Sequence, residues 1–163
     1  MPINWGQHVN QVKVGVDQDE EMTTDDGIIY TEGLGPCIAV CIAFGNWAGI
    51  GHHSIAEHNA ENYAKLIAKA KEVIPADRIS TIRPILCGSD PQADAGDDQK
   101  AYEKQSNKSR AWAGKTLKDA GFANPIVHWR DYGETAEIAV CLIDKIIEGE
   151  VGDEPFEYPV PQP

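Results

Sequence analysis

A chain of 163 residues, 42% hydrophobic and 25% charged, has the size and make-up of one globular domain, and no apolar run approaches the ~18 residues of a membrane span. Twenty-six acidic against fourteen basic side chains leave a formal charge of −12, a field that repels phosphate backbones and argues against nucleic acid as a partner. The opening residues lack the basic and apolar regions of a secretion signal, so a cytoplasmic protein with free thiols is expected.

Residues 11–16 place Val12, Val14 and Val16 on one face, the period of a strand. The acidic stretch 17–26 reads as a solvated loop. Residues 27–31 form a second short strand that runs into the corner Gly33-Leu34-Gly35-Pro36. From Cys37 to Phe44 the chain is apolar throughout, which predicts a strand buried on both faces. Gly45-Asn46 breaks it, and 47–55 return as its hairpin partner. Apolar residues at 63, 66, 67, 70 and 74 have helical spacing, with Asn59 as N-cap and Pro75 as stop.

Residues 78–87 read as a strand interrupted by Pro84, and 88–98 as a loop. A second helix is expected over 99–120, with Tyr102, Trp112, Ala113, Leu117 and Ala120 near one face and Gly121 beyond its end. A short strand follows at 125–129, and 135–147 fits either a helix or a strand pair. Residues 152–163 carry four prolines and are expected to be an extended, poorly packed tail on a domain of residues 1–151. Strands first, then helices interspersed with strands, indicate a single α+β domain.

Cys41, Cys87 and Cys141 lie within apolar runs, where cysteine serves as a small, inert core residue. Cys37 differs, because the glycine corner holds it at the lip of a strand, where it can meet a substrate. Opposed residues of an antiparallel pair share a face, so the hairpin decides its neighbour. A three- or five-residue loop sets Cys37 opposite His53, with Cβ atoms roughly 5 Å apart. A two-residue loop at Gly45-Asn46 opposes Cys37 to Ser54 and turns His53 to the other face.

An adjacent imidazole takes the thiol proton, lowers the thiol pKa and returns the proton to a leaving group, which suits acyl transfer. An activated Cys37 is then expected to alkylate before the other three cysteines. Alternation separates His52 from His53, and with His58 they form no metal-binding motif, so no metal or cofactor is expected. His8 and His128 read as half-buried structural residues.

The pattern Thr31-x-Gly33-Leu34-Gly35-x-Cys37-x-Ala39-Val40-Cys41, followed by Gly49-x-x-x-His53, resembles CheD, the bacterial chemoreceptor glutamine deamidase family, over about residues 11–56. The resemblance implies a sandwich of mixed and antiparallel sheets flanked by helices. It implies Cys37 as nucleophile, His53 as general base and acid, and Thr31 as a supporting third residue. Backbone N–H groups around Gly33, Leu34 and Gly35 are implied as the oxyanion donors. Pro36 stands where the family has serine and has no N–H, so the Cys37 N–H is also drawn into that role. Tyr132-Gly133-Glu134-Thr135 is the nearest stretch to the family's late glycine-arginine segment and lacks the arginine.

The implied reaction converts glutamine side chains of a protein partner to glutamate with release of ammonia, without a cofactor or membrane insertion. The partner is a chemoreceptor or, in a diverged secreted effector, a host or competitor protein. CheD-like proteins also bind a chemotaxis phosphatase, which makes a non-catalytic adaptor the alternative.

Overall fold

The computed structural model describes residues 5–90, 98–130 and 135–163. The strands before the first helix are β1 (Lys13–Gly15), β2 (Glu20–Thr24), β3 (Ile28–Thr31), β4 (Ile38–Phe44) and β5 (Trp47–His53). Helix α1 (Ala60–Val73), β6 (Ile85–Gly88), helix α2 (Gln99–Asp119) and β7 (Ile126–Trp129) follow. The chain closes with β8 (Ala136–Cys141), β9 (Ile146–Val151) and β10 (Glu154–Pro159). One sheet has the order β1-β3-β8-β9-β10, the other β2-β5-β4-β6-β7. Each contains one parallel pair, β1 with β3 and β6 with β7, so both sheets are mixed. The fold is a single α+β domain, as the order of elements predicts.

Period-2 alternation on β4 explains the layering. Its small residues Ala39, Cys41 and Ala43 face the other sheet, where they meet Ile29, Ile138, Val140 and Ile147. Its large residues Ile38, Val40, Ile42 and Phe44 face Tyr63, Leu66 and Ala70 of α1 and Ala113 and Leu117 of α2. The strand is therefore buried along its whole length, the reason it is apolar at every position. On β5, a Cβ at Gly49 would lie 2.4 Å from Leu66 Cδ1, so the missing side chain lets α1 lie directly on the strand.

Several expectations change. The acidic stretch expected as a loop contains β2, which pairs with β5 from Glu20↔His52 to Thr24↔Ala48. An edge strand needs only backbone pairing, so solvated side chains conceal it. Asn59 makes no side-chain cap; a 3₁₀ turn (Ala56–Asn59) precedes α1, and the Asn59 amide donates to Asp19 and Ile55 instead. Residues Ile79–Thr81 form a 3₁₀ turn, and the strand begins only after Pro84. Tyr102 is exposed, off the buried face of α2. The ambiguous stretch 135–147 is β8, a turn and the start of β9. Most of the loop 88–98 lies outside the described residues, as do Tyr132, Gly133 and Glu134.

The tail is extended but packed. Strand β10 pairs with β9, and Phe156 and Val160 are buried. Its prolines are tolerated because the strand lies at an edge. Phe156 lies over Gly149, where an added Cβ would fall 2.0 Å from the ring and 2.7 Å from the Glu137 carbonyl oxygen. Gly149→Ala is therefore expected to cost about 1–3 kcal/mol, seen as a lower urea midpoint. An unchanged midpoint would mean that the tail contributes no packing. No helix among the described residues is long and apolar enough to cross a membrane.

Candidate active site

The corner before Cys37 is built on two left-handed glycines, Gly33 (φ +64°) and Gly35 (φ +44°). The Cys37 N–H donates to the Leu34 carbonyl at 2.6 Å, closing a tight turn. The Leu34 N–H donates to Ala136 of the facing sheet, while the Ser89 and Asp90 N–H groups donate to the carbonyls of Cys37 and Gly35. The corner is thus tied to both sheets, and Cys37 is only 4% exposed. The same bonds occupy the Leu34 and Cys37 amides, so neither is available as an oxyanion donor without breaking the turn. A Cβ at Gly33 or Gly35 would meet no atom within 4 Å, so the outer side of the corner is open there.

The hairpin closes with two residues. Pairing runs from Phe44↔Trp47 to Ile38↔His53, and Gly45 takes the left-handed conformation (φ +59°) that such a turn requires. This register overturns the pairing of Cys37 with His53. His53 shares the helix-facing side with Ile38, where its ring occupies the space over Gly51. An added Cβ on Gly51 would lie 2.4 Å from His53 Cε1. The ring packs on Tyr63 with centroids 4.7 Å apart, while Cys37 belongs to the core between the sheets. The sheet itself separates the two side chains, so His53 cannot serve Cys37 as a base.

His52 lies on the other face: it pairs with Ala39, which shares the inter-sheet core with Cys37, and its Nε2 makes no hydrogen bond to the Cys37 sulfur. Its Nδ1 lies 2.7 Å from Thr31 Oγ1, across from β3 of the other sheet. Thr31 donates its only hydroxyl proton to the Val16 carbonyl at 2.7 Å, so its oxygen must accept from His52. The proton therefore sits on Nδ1, and Nε2 carries a lone pair. Nε2 is buried with no hydrogen-bond partner among the described residues. The structure brings Thr31 to a histidine as expected, but to the neighbouring one.

Burial, reinforced by the negative charge of Asp19, pushes the Cys37 thiol up to about 11. That reverses the expected depression. Burial likewise lowers His52 below the ordinary imidazole value, with Asp19 pulling the other way. Asp19 is itself penalised by burial, but hydrogen bonds from Ser54, Gln18 and Asn59 hold its carboxyl below the usual range. At neutral pH the pair rests as thiol and neutral imidazole, and a thiolate forms only as the proton moves to Nε2. Cys37 is accordingly expected to alkylate slowly with iodoacetamide at pH 7, the rate rising about tenfold per pH unit toward pH 10. Peptide mapping by mass spectrometry reads this; rapid, pH-independent labelling between pH 6 and 8 would show a preformed thiolate.

A cleft of about 150 Å³ reaches Thr31 and His52, with Asp17, Gln18 and Glu32 also in its lining. Cys37 does not line it, so the cleft gives access to the imidazole and not to the sulfur. No protein-family model matches the chain, and no curated protein matches it in sequence.

Proposed function

We propose that the protein is a cysteine hydrolase that deamidates glutamine side chains of a protein partner, with Cys37 as nucleophile and His52 as general base and acid. Thr31 positions the imidazole. The observation that carries this reading is the hydrogen-bond chain His52 Nδ1–H to Thr31 Oγ1–H to Val16 O, which orients a basic Nε2 on the Cys37 face. A base oriented by a third group beside a nucleophile is the working arrangement of acyl-transfer sites.

The chemistry follows from those parts. Nε2 takes the Sγ proton as sulfur attacks the carboxamide carbon, and the C=O electron pair moves to oxygen. The imidazolium then returns the proton to the departing amine, giving ammonia and a thioester. Water, deprotonated by Nε2, cleaves the thioester to glutamate and regenerates the thiol. Because the Leu34 and Cys37 amides are held in other bonds, this reading assigns the oxyanion to the Gly33 and Gly35 N–H groups. Asp17 and Glu32 in the cleft favour a partner with basic residues near the target glutamine. The resemblance to CheD supports a chemoreceptor or a diverged protein target for the same chemistry.

The raised Cys37 thiol favours a second reading, an adaptor that keeps the fold and has lost the reaction. Ammonia release from a polypeptide pool separates the two. Wild type is expected to release ammonia and Cys37→Ser is not; equal release from both leaves the adaptor. Thr31→Val removes the acceptor for Nδ1 and is expected to lower kcat roughly 100-fold at nearly constant KM, with a displaced limb of the pH profile. Thr31→Ser should restore most of it. A Thr31→Val enzyme with normal kcat would remove Thr31 from the site.

A further inference from the structure

A second cluster of chemically competent side chains lies on the opposite side of the first sheet. His8 ends a 3₁₀ turn (Trp5–His8), Cys141 ends β8, and Asp144 stands in the turn leading to β9. His8 Nε2 lies 3.1 Å from Asp144 Oδ2, and Cys141 Sγ lies 3.5 Å from the same oxygen. The three ligand atoms all fall within 4.8 Å of one another. Zinc bonds of about 2.0 Å to nitrogen and oxygen and 2.3 Å to sulfur, at tetrahedral angles, set N···O about 3.3 Å and S···O about 3.5 Å apart. The observed edges match both.

An independent feature points the same way. Glu148 is 7% exposed, and its Oε2 is buried with no hydrogen-bond partner among the described residues. It pairs with Ala139 and so shares a face with Cys141, one diagonal step away. A carboxylate oxygen buried without a partner is stabilised by a cation beside it.

We propose that His8 Nε2, Cys141 Sγ and Asp144 Oδ2 bind a zinc ion, with the Glu148 carboxylate or a water completing four ligands. The nitrogen, sulfur and oxygen set suits zinc better than the all-oxygen preference of calcium or magnesium. Binding displaces the Cys141 proton to solvent and leaves a thiolate on the metal, with no change of oxidation state. The ion would staple the first described turn to the sheet. Because His8 lies more than a hundred positions before Cys141 and Asp144 in sequence, no spacing motif announces the set.

The test uses the full chain, stripped with chelator and carrying Cys37→Ser so that the other cysteine–histidine pair cannot contribute. Zinc titration against a chromogenic chelator is expected to give one ion per chain. Adding His8→Ala, Cys141→Ser or Asp144→Asn should weaken binding roughly 100-fold, since loss of a ligand costs at least as much as loss of its supporting partner. Asp144 is half exposed, so its variant cannot be dismissed as unfolded. Cobalt substitution should give a thiolate charge-transfer absorption that Cys141→Ser abolishes. Absence of binding at micromolar zinc, or affinity unchanged by Cys141→Ser and Asp144→Asn, overturns the assignment.

Discussion

His52→Ala is expected to lower deamidation of a protein substrate by about 10³-fold, while His53→Phe keeps activity within a few-fold of wild type. The contrast follows from one structural fact, the two-residue turn that pairs Ile38 with His53 and Ala39 with His52. His52 stands between Thr31 and the Cys37 face; His53 stands on Tyr63 beneath the helices. Phenylalanine preserves the ring that fills the space over Gly51, so the helix face stays packed. Rates of ammonia release at saturating substrate measure both variants. Loss of activity in His53→Phe with retention in His52→Ala would mean that the functional register differs by one residue.

His53 is expected to dominate the acid sensitivity of the fold. It is fully buried, and burial lowers its pKa from 6.5 to about 4, against the opposing pull of Asp19. The sign is that of a histidine buried neutral. As pH falls through 6.5 the unfolded chain takes up a proton that the folded chain refuses until about pH 4, so stability drops across that window and levels off below it. The full difference corresponds to about 3 kcal/mol, and about 2 kcal/mol of it is expected between pH 7 and pH 5. Both ring nitrogens and the Tyr63 hydroxyl lack hydrogen-bond partners among the described residues, so phenylalanine also removes buried unsatisfied atoms. Urea denaturation should show wild type losing those 2 kcal/mol and His53→Phe losing far less. Parallel losses would assign the acid sensitivity elsewhere.

Elements buried on one or both faces were legible, because burial imposes a hydrophobic period on the residues themselves. Strand β4 and helices α1 and α2 are of this kind. Of the edge strands, β1 and β7 were legible from their apolar residues but β2 and β10 were not: these two are held by backbone pairing, and their polar or proline-rich side chains carry no period. The site was half legible. The left-handed glycine corner precedes Cys37 and Thr31 meets a histidine as their spacing suggests, but which histidine depended on loop length. One residue of slip exchanges His52 for His53 across the sheet. A Gly45-Asn46 pair flanked by apolar residues was the available signal for a two-residue turn. The raised Cys37 thiol was out of reach, since it arises from burial between two sheets and from Asp19, which comes close only once β2 is paired.

Deamidation leaves a signature that no binding protein produces, a gain of ~1 Da in an intact partner when an amide becomes an acid. Wild type, Cys37→Ser and His52→Ala should each be incubated with a protein pool from the source organism and, separately, from a host. Intact-mass and peptide analysis is expected to find glutamine converted to glutamate on at least one protein in the wild-type reaction alone. A wild-type reaction indistinguishable from Cys37→Ser in both pools would contradict the hydrolase.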